Sequence, residues 1–221
     1  MRGCIPGSGK APLSPQEQLT AQLISIYGAP YLNGLWIADD YVLSGSDVIS
    51  ITARIGGDMV PISAGVYFQA STMGTHAAII NTNIATQGGY FAPVVVPLGI
   101  FHAFTVVVPT ALPFSAYRAA SVEWEGSGQG LLGRSGTSNW FAAGTRYRNG
   151  VAENGVAVDP AVYAVTYNSG GVGEVTMGGQ DANPARNWYG KIAILGTTSN
   201  QPSAGQILAG ANACRLYYGI P

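Results

Sequence analysis

The sequence predicts an all-β protein, a two-sheet antiparallel sandwich with an N-terminal arm and helix and a short C-terminal helix. Three observations lead to this fold class. Strand-like segments recur between residues 45 and 195 at the spacing of a sandwich. Residues 14–27 carry the start and stop signals of a helix. Residues 190–221 lead from an apolar strand through a polar turn into a closing amphipathic helix.

Two segments have the pattern of a capped helix. In the first, Ser14 is the expected N-cap, Pro15 occupies the first helical position and Glu17 completes a capping box. In the second, Ser203 and Gln206 repeat this arrangement. The apolar positions expected to face the interior are Leu19, Leu23, Ile24 and Ile26 in the first helix and Ile207, Leu208, Ala211, Cys214 and Tyr217 in the second.

Both helices end in Tyr-Gly-x-Pro, at residues 27–30 and 218–221. Because glycine favours a helix C-terminus and proline blocks continuation, two unrelated helices can share this ending. The alternative is that both pack on equivalent surfaces, one on its own sandwich and the other on that of a neighbouring subunit. The N-terminal segment would then be an assembly device.

Runs rich in β-branched and aromatic residues predict a series of strands between the helices. The sharpest local signal is Asn149-Gly150, because both central residues of a type I′ turn need positive φ and this pair supplies it. It predicts a two-residue hairpin. The predicted strands are 47–55, 65–70, 76–81, 90–96, 100–109, 117–125, 129–134, 138–143, 144–148, 151–153, 161–167, 173–178 and 190–195.

The chain is expected to have two parts. Residues 1–13 are rich in proline and glycine and show no periodicity, and the first helix follows them. We therefore interpret residues 1–33 as an attachment or assembly segment and residues 34–221 as one sandwich domain. A chain of 221 residues is long enough for a single large β domain.

Charged residues are unusually sparse, at 10% of the chain against about 25% in an ordinary soluble domain. The surface must therefore consist largely of Ser, Thr, Asn, Gln, Gly and Ala. Such an exterior repels other copies weakly, which suits a protein packed against other subunits or against neutral sugars. An extracellular-type β protein with glycine-rich turns fits the composition equally well.

Charge and apolar pattern exclude several classes of partner. A formal net charge of −1 leaves no basic footprint for nucleic acid. The first 15 residues lack the apolar run of a signal peptide, and no apolar window is long enough to span a bilayer. We expect a soluble protein with no membrane partner, no export signal of its own and no cofactor. Cys4 and Cys214 are expected to be free thiols, although a bridge between the chain ends stays open.

The order of elements also carries a family resemblance. The hairpin YRNGV (147–151), the turn MGG (177–179) and the strand WYGKIAI (188–194) precede the terminal helix. In this order they resemble the C-terminal half of concanavalin A-like lectin/glucanase, or laminin G-like, jelly rolls. The early stretches GLWIADD (34–40) and SDVIS (46–50) resemble the opening of such domains in tailed-phage virion proteins. The resemblance spans residues 34–221 and implies a jelly roll, a fold that hosts lectins, hydrolases, adhesion modules and capsid decorations alike.

The residues that would mark an enzyme of this family are incomplete. Glucanases of this fold carry Glu-x-Asp-x-x-Glu on one strand, so that the carboxylates share one face of the cleft. The nearest approach is Glu123-Trp124-Glu125, which lacks the third acid and precedes a glycine-rich turn. Exposed glutamates at a strand end are the preferred interpretation. The sequence predicts no catalytic residue and no enzyme.

No metal site is predicted. His76 and His102 each lie in an apolar strand pattern, and we interpret them as structural or surface residues rather than as ligands or bases. Oxygen ligands for calcium could come from turn-forming residues, but none of them has a diagnostic spacing. They are Asp39, Asp40, Asp58, Asp181 and Asn183.

Aromatic residues are the remaining candidates for a ligand site. Trp36 and Trp188 lie in strands at the two ends of the domain and are expected to be core residues. Trp140 and Tyr147 adjoin loops around residues 135–150, where an exposed ring could stack on a sugar. These two residues are therefore the predicted glycan contacts.

Together these features favour a non-enzymatic structural protein of a virus particle. We expect a phage capsid decoration or accessory protein, assembled in the host cytoplasm and located in the virion. Its partners would be other virion proteins, capsid or tail subunits, and further copies of itself. The alternative is a carbohydrate-binding adhesin or tail module that recognises host glycans. A glycoside hydrolase is a third hypothesis.

Overall fold

The computed structural model describes residues 11–62, 68–81, 89–112, 119–124, 129–133, 136–141, 144–171, 175–179, 188 and 190–221. Within these ranges, two helices flank a set of β-strands. The helices are α1 (Pro15–Tyr27) and α2 (Ala204–Tyr218). The strands are β1 (Leu32–Ser44), β2 (Asp47–Ile55), β3 (Met59–Ile62), β4 (Phe68–Met73), β5 (His76–Asn81), β6 (Tyr90–Pro93), β7 (Ile100–Pro109), β8 (Ala119–Trp124), β9 (Gln129–Gly133), β10 (Trp140–Phe141), β11 (Thr145–Arg148), β12 (Val151–Ala152), β13 (Ala161–Gly171), β14 (Val175–Met177) and β15 (Gly190–Thr198).

The all-β class with two helices is confirmed, but the strands belong to one connected sheet rather than to two separate ones. Their order is β10-β9-β8-β14-β6-β3-β2-β4-β5-β15-β7-β13-β11-β12, and β1 pairs with both β15 and β2. Strands β1, β2, β4, β5 and β15 therefore close a ring. The connection arises because β1 is long and irregular: its first half pairs with β15 and its second half with β2.

The sheet curls so that its two halves face each other across a first hydrophobic core. Trp36, Phe91, Tyr163 and Trp188 are among the large side chains buried there. Residues of β2, β3, β6 and β14 thus meet residues of β7, β13 and β15. Burial of this many large apolar side chains is the main source of stability of the fold.

A second core lies between the helices and the outer face of β1, β7, β13 and β15. Phe104 and Val106 of β7 point into it, whereas Ala103 and Val107 belong to the first core. Strands β7 and β15 are buried on both faces along most of their length, so their sequences are mostly apolar instead of alternating. The two helices form a third layer over this part of the sheet.

Helix α1 packs on its own chain. Leu19, Leu23 and Tyr27 are buried in the second core, and the Gln206 side chain donates a 2.8 Å hydrogen bond to the carbonyl of Ile26. The apolar stripe of this helix is thus covered by its own chain, and an attachment or assembly role of residues 1–33 remains a prediction. The boundary at residue 33 remains a prediction.

The local signals for the helices and the hairpin are confirmed. Ser14 with Glu17 and Ser203 with Gln206 form complete capping boxes. Asn149 and Gly150 both have positive φ, at 50° and 83°, as the two-residue turn requires. Of the predicted interior positions in the two helices, Leu208 is exposed, whereas Ile24, Ile26 and Tyr217 are partly buried and pack against the second core.

Strand bounds were predicted with mixed success. The bounds of β2, β5 and β7 match the prediction. For β1 no bounds were predicted, although Trp36 was expected to lie in a strand, and β3 was not predicted. Strand β1 contains Gly34 and the polar pair Asp39-Asp40, and the short β3 contains Pro61, so neither shows a regular β pattern. Among the described residues, neither helix is long and apolar enough to cross a membrane.

Candidate functional site

The two predicted glycan contacts do not form a common site. Trp140 is 3% exposed and lies in the first core, where its ring stacks on Trp188 and meets Tyr163 edge-on. Tyr147 is half-buried and packs against the second core, on the opposite face of the sheet. The prediction that Trp140 presents its ring to a sugar is wrong, because neighbouring aromatic rings cover it.

The other residues considered from sequence are dispersed. Glu123 lies on β8 opposite Thr176, and Glu125 lies outside the described residues. Asp58 accepts a hydrogen bond from the backbone N–H of Ala53, and Asp181 and Asn183 also lie outside the described residues. Across the described ranges, no group of three or more His, Cys, Asp or Glu is arranged to hold a metal.

An irregularity in β1 creates a polar network that the sequence did not reveal. Trp36 pairs with Ala53 and Tyr41 with Ile51, so residues 37–40 of β1 lie opposite the single residue Thr52 of β2. The extra residues form a bulge, a feature that redirects side chains away from the regular ladder. The carboxylates of Asp39 and Asp40 emerge from this bulge.

Asp39 links three elements. Its Oδ1 accepts a 3.0 Å hydrogen bond from the backbone N–H of Ala77 at the start of β5, and its Oδ2 accepts a 2.9 Å hydrogen bond from the hydroxyl of Tyr217 on α2. Nδ1 of His76 lies 3.4 Å from the same Oδ2. The rings of His76 and Tyr217 are stacked with centroids 3.7 Å apart. The last turn of α2 is therefore tied to the bulge.

Asp40 forms a separate ion pair beside this network. Its carboxylate receives two hydrogen bonds from the Arg54 guanidinium, one of them 2.6 Å long from Nε. The hydrogen bond to Asp40 raises the pKa of Arg54. Burial, together with the hydrogen bond to Asp39, raises the pKa of the Tyr217 hydroxyl. That hydroxyl therefore stays protonated at neutral pH and acts as a donor.

The chemistry of this network is structural. Both carboxylates accept hydrogen bonds from protein donors, and the tyrosine proton is directed at Asp39. The thiol of Cys214, on the same helix, is free and fully buried, and burial raises its pKa to about 12. A protonated and inaccessible thiol is not a nucleophile. The arrangement fixes the end of α2 against the sheet.

Beside the network, a groove of about 180 Å³ separates the two helices. The helices are antiparallel, because Gln206 at the start of α2 contacts Ile26 at the end of α1. The groove lies at the other end of the pair and ends at Tyr217. Its lining is apolar except for two amides: Pro15, Gln18, Leu19, Gln22, Ala213, Leu216 and Tyr217.

The outer face of the helix pair carries almost no charge. Glu17 is the single charged residue of α1 and Arg215 the single charged residue of α2. Two leucines of α2 are exposed, Leu208 at 43% and Leu216 at 80%. An exposed helix face normally carries charged residues, so this composition is unusual for a surface in contact with water.

A second apolar surface is the segment of residues 94–98, which we call the valine loop. Val94, Val95 and Leu98 are 62%, 64% and 70% exposed. The loop is held by its backbone, because the N–H of Val94 donates to the carbonyl of Asp58 and the Asn33 amide donates to the carbonyl of Leu98. Its side chains are therefore displayed from an anchored loop.

Sequence patterns could indicate part of these surfaces. The run VVVPL at residues 94–98 and the few charges in both helices can be read from the sequence. The network around Asp39 could not be predicted from sequence. It joins Asp39 on the sheet to Tyr217 on α2, 178 positions apart, and to Ala77, and it depends on a bulge.

No protein-family model and no curated protein matches the chain. Among solved structures, the chain is similar to domain 4 of AbnA, a GH43 extracellular arabinanase from Geobacillus stearothermophilus, in complex with arabinotriose. The TM-score is 0.45 and the sequence identity 13%, over 81% of this chain and 98% of that chain. A similarity of this extent establishes neither a common fold nor a common ligand.

Proposed function

We propose that the chain is a non-enzymatic structural protein of a virus particle, which works packed against other protein subunits. The observation that carries the proposal is the valine loop. Monomeric proteins rarely display contiguous apolar side chains on an anchored surface segment unless that segment binds a partner. The sparse charge of the whole chain, 10% of residues, supports the same role, because it leaves little repulsion between packed subunits.

The expected partners are other virion proteins, contacted through the valine loop. At 62–70% exposure, Val94, Val95 and Leu98 have most of their apolar surface available for burial in a contact. Burying one such side chain contributes about 1.5–3 kcal/mol. Three of them on one loop are enough to form the centre of a small interface.

The experiment is incorporation into particles from cells infected with a virus that encodes the chain. We expect the wild-type chain to sediment with the particles and the Val95→Asp variant to stay in the soluble fraction. Val151→Asp is the matched control, because Val151 is also 64% exposed but lies in the β11–β12 hairpin. A wild-type chain that is absent from purified particles contradicts the proposal.

We also propose that the curled sheet is a jelly roll of the concanavalin A-like type. The two facing halves and the closing helix α2 support this assignment. An experimental structure of the whole chain tests it. The expected result is two facing layers with jelly-roll connections, and a different strand connectivity contradicts it.

A further inference from the structure

The outer face of the helix pair contains a projecting side chain directly beside a recess. Leu216 is 80% exposed and forms part of the rim of the groove. The groove, at about 180 Å³, has the volume of about six water molecules, which is enough for a leucine side chain. Leu19 and Ala213 of its lining are each 3% exposed and provide an apolar floor.

This combination is self-complementary. In a two-fold contact, residue i of one copy meets residue j of the other and the reverse contact occurs as well. A projection and a recess that lie side by side satisfy this condition when the two-fold axis passes between them. Leu216 of each copy then enters the groove of the other copy, as a knob enters a hole in a helical interface.

The charges of the same face agree with pairing of identical copies. Glu17 precedes the groove residue Gln18, and Arg215 precedes Leu216. Each copy therefore brings one charge of each sign to the helix pair, and two copies that pair through it have no excess of like charge. The remaining outer positions, such as Ala21, Gln22 and Asn212, are uncharged and add no repulsion.

We propose that two copies of this chain pair through the helix layer, with Leu216 of each copy seated in the groove between α1 and α2 of the other. This pairing goes beyond the proposed function and does not depend on it, because the valine loop and the helix layer are different surfaces. A dimer that fails to join particles would contradict the proposed function alone.

The first test is sedimentation equilibrium of the purified full chain over a range of concentrations. We expect a reversible dimer for the wild type, and a dissociation constant raised about tenfold or more for Leu216→Ser, the change expected for a buried anchor of at least 1.4 kcal/mol. Leu208→Ser is the matched control, because Leu208 is an exposed leucine on the same helix outside the groove. It should leave the dissociation constant within about twofold of the wild type.

A complementation test distinguishes this specific contact from nonspecific hydrophobic association. Leu216→Ala removes the knob, and Gln22→Trp fills the groove from its exposed rim. Each variant alone should dimerise weakly. A mixture of the two should recover most of the affinity. Leu216 of the Gln22→Trp variant enters the groove of the Leu216→Ala variant, which keeps its floor of Leu19 and Ala213, and the added indole occupies the space of the missing leucine.

Three results overturn the proposal. They are a wild-type chain that is monomeric up to its solubility limit, equal weakening by Leu216→Ser and Leu208→Ser, and a mixture that dimerises no better than its components. Far-UV circular dichroism of each variant shows that it is folded. A variant that fails this check is replaced by Leu216→Gln for the knob or Gln18→Trp for the groove.

Discussion

At the scale of single residues, Asp39 determines how the end of α2 is held. Its two oxygens accept hydrogen bonds from Ala77 and from Tyr217, and its side chain is only 13% exposed. Removing the carboxylate would leave a backbone N–H and a phenol hydroxyl without this acceptor in a partly buried position. An unsatisfied buried group of this kind costs about 1–3 kcal/mol.

We therefore expect Asp39→Ala to lower the free energy of unfolding by about 2 kcal/mol, measured by urea denaturation. Asp159→Ala is the control. The Asp159 carboxylate also accepts hydrogen bonds, here from the Arg148 guanidinium, but its side chain is 63% exposed. It should cost less than about 1 kcal/mol. Equal losses in the two variants would show that the network around Asp39 adds nothing to stability.

His102 is the second residue with a defined energetic consequence. It is fully buried near Tyr27 and Phe104, and burial lowers its pKa from 6.5 to about 3, against a smaller opposite effect of the Val165 backbone. The unfolded chain binds a proton at His102 below pH 6.5, whereas the folded chain does so only near pH 3. This histidine therefore makes the fold less stable as the pH falls between these values.

The expected slope is up to about 1.4 kcal/mol per pH unit from this one group. We expect His102→Leu to remove that contribution, so that its stability falls less steeply than that of the wild type between pH 6 and pH 4. Chemical denaturation at several pH values measures the difference. Parallel stability curves for the two proteins would contradict the assignment.

At the scale of elements, the contact between α1 and α2 depends on one glycine. A Cβ atom at Gly210 would collide with the hydroxyl and ring of Tyr27. The helices can therefore approach closely at this point, next to the hydrogen bond from Gln206 to Ile26. The close approach positions the groove at the opposite end of the helix pair.

We expect Gly210→Ala to destabilise the fold by about 1–3 kcal/mol, the usual cost of forcing an extra group into a packed site. Gly205→Ala on the same helix is the control, because a Cβ there meets no atom closer than 3.9 Å. Since alanine is the better helix former, this variant should be unchanged or slightly more stable. Thermal denaturation of both variants makes the comparison, and equal effects would contradict the packing described for Gly210.

The elements also show how far sequence reasoning extends. Capping boxes at Ser14 and Ser203 and the turn at Asn149-Gly150 are local, and all three could be predicted from neighbouring residues. The pairing of β1 with both β15 and β2 is not local. Neither is the burial of Trp140, which depends on Trp188 and Tyr163. Such contacts leave no periodic signal in the sequence, so the surface role of Trp140 was predicted wrongly.

At the scale of the whole molecule, two apolar or uncharged surfaces lie on a sheet whose own cores are already filled. The exposed side chains of the valine loop, and Leu216 on the outer face of the helix pair, belong to neither core. Exposed valines and leucines gain free energy when another protein removes them from water. The central claim is therefore that other subunits cover these surfaces in the working state.

Hydrogen–deuterium exchange of the chain, isolated and within the assembled particle, tests this claim most directly. The account predicts that backbone amides of the valine loop exchange markedly more slowly in the particle than in the isolated chain. Amides of strands in the first core should exchange slowly in both states. Identical exchange of the valine loop in the two states would contradict the account.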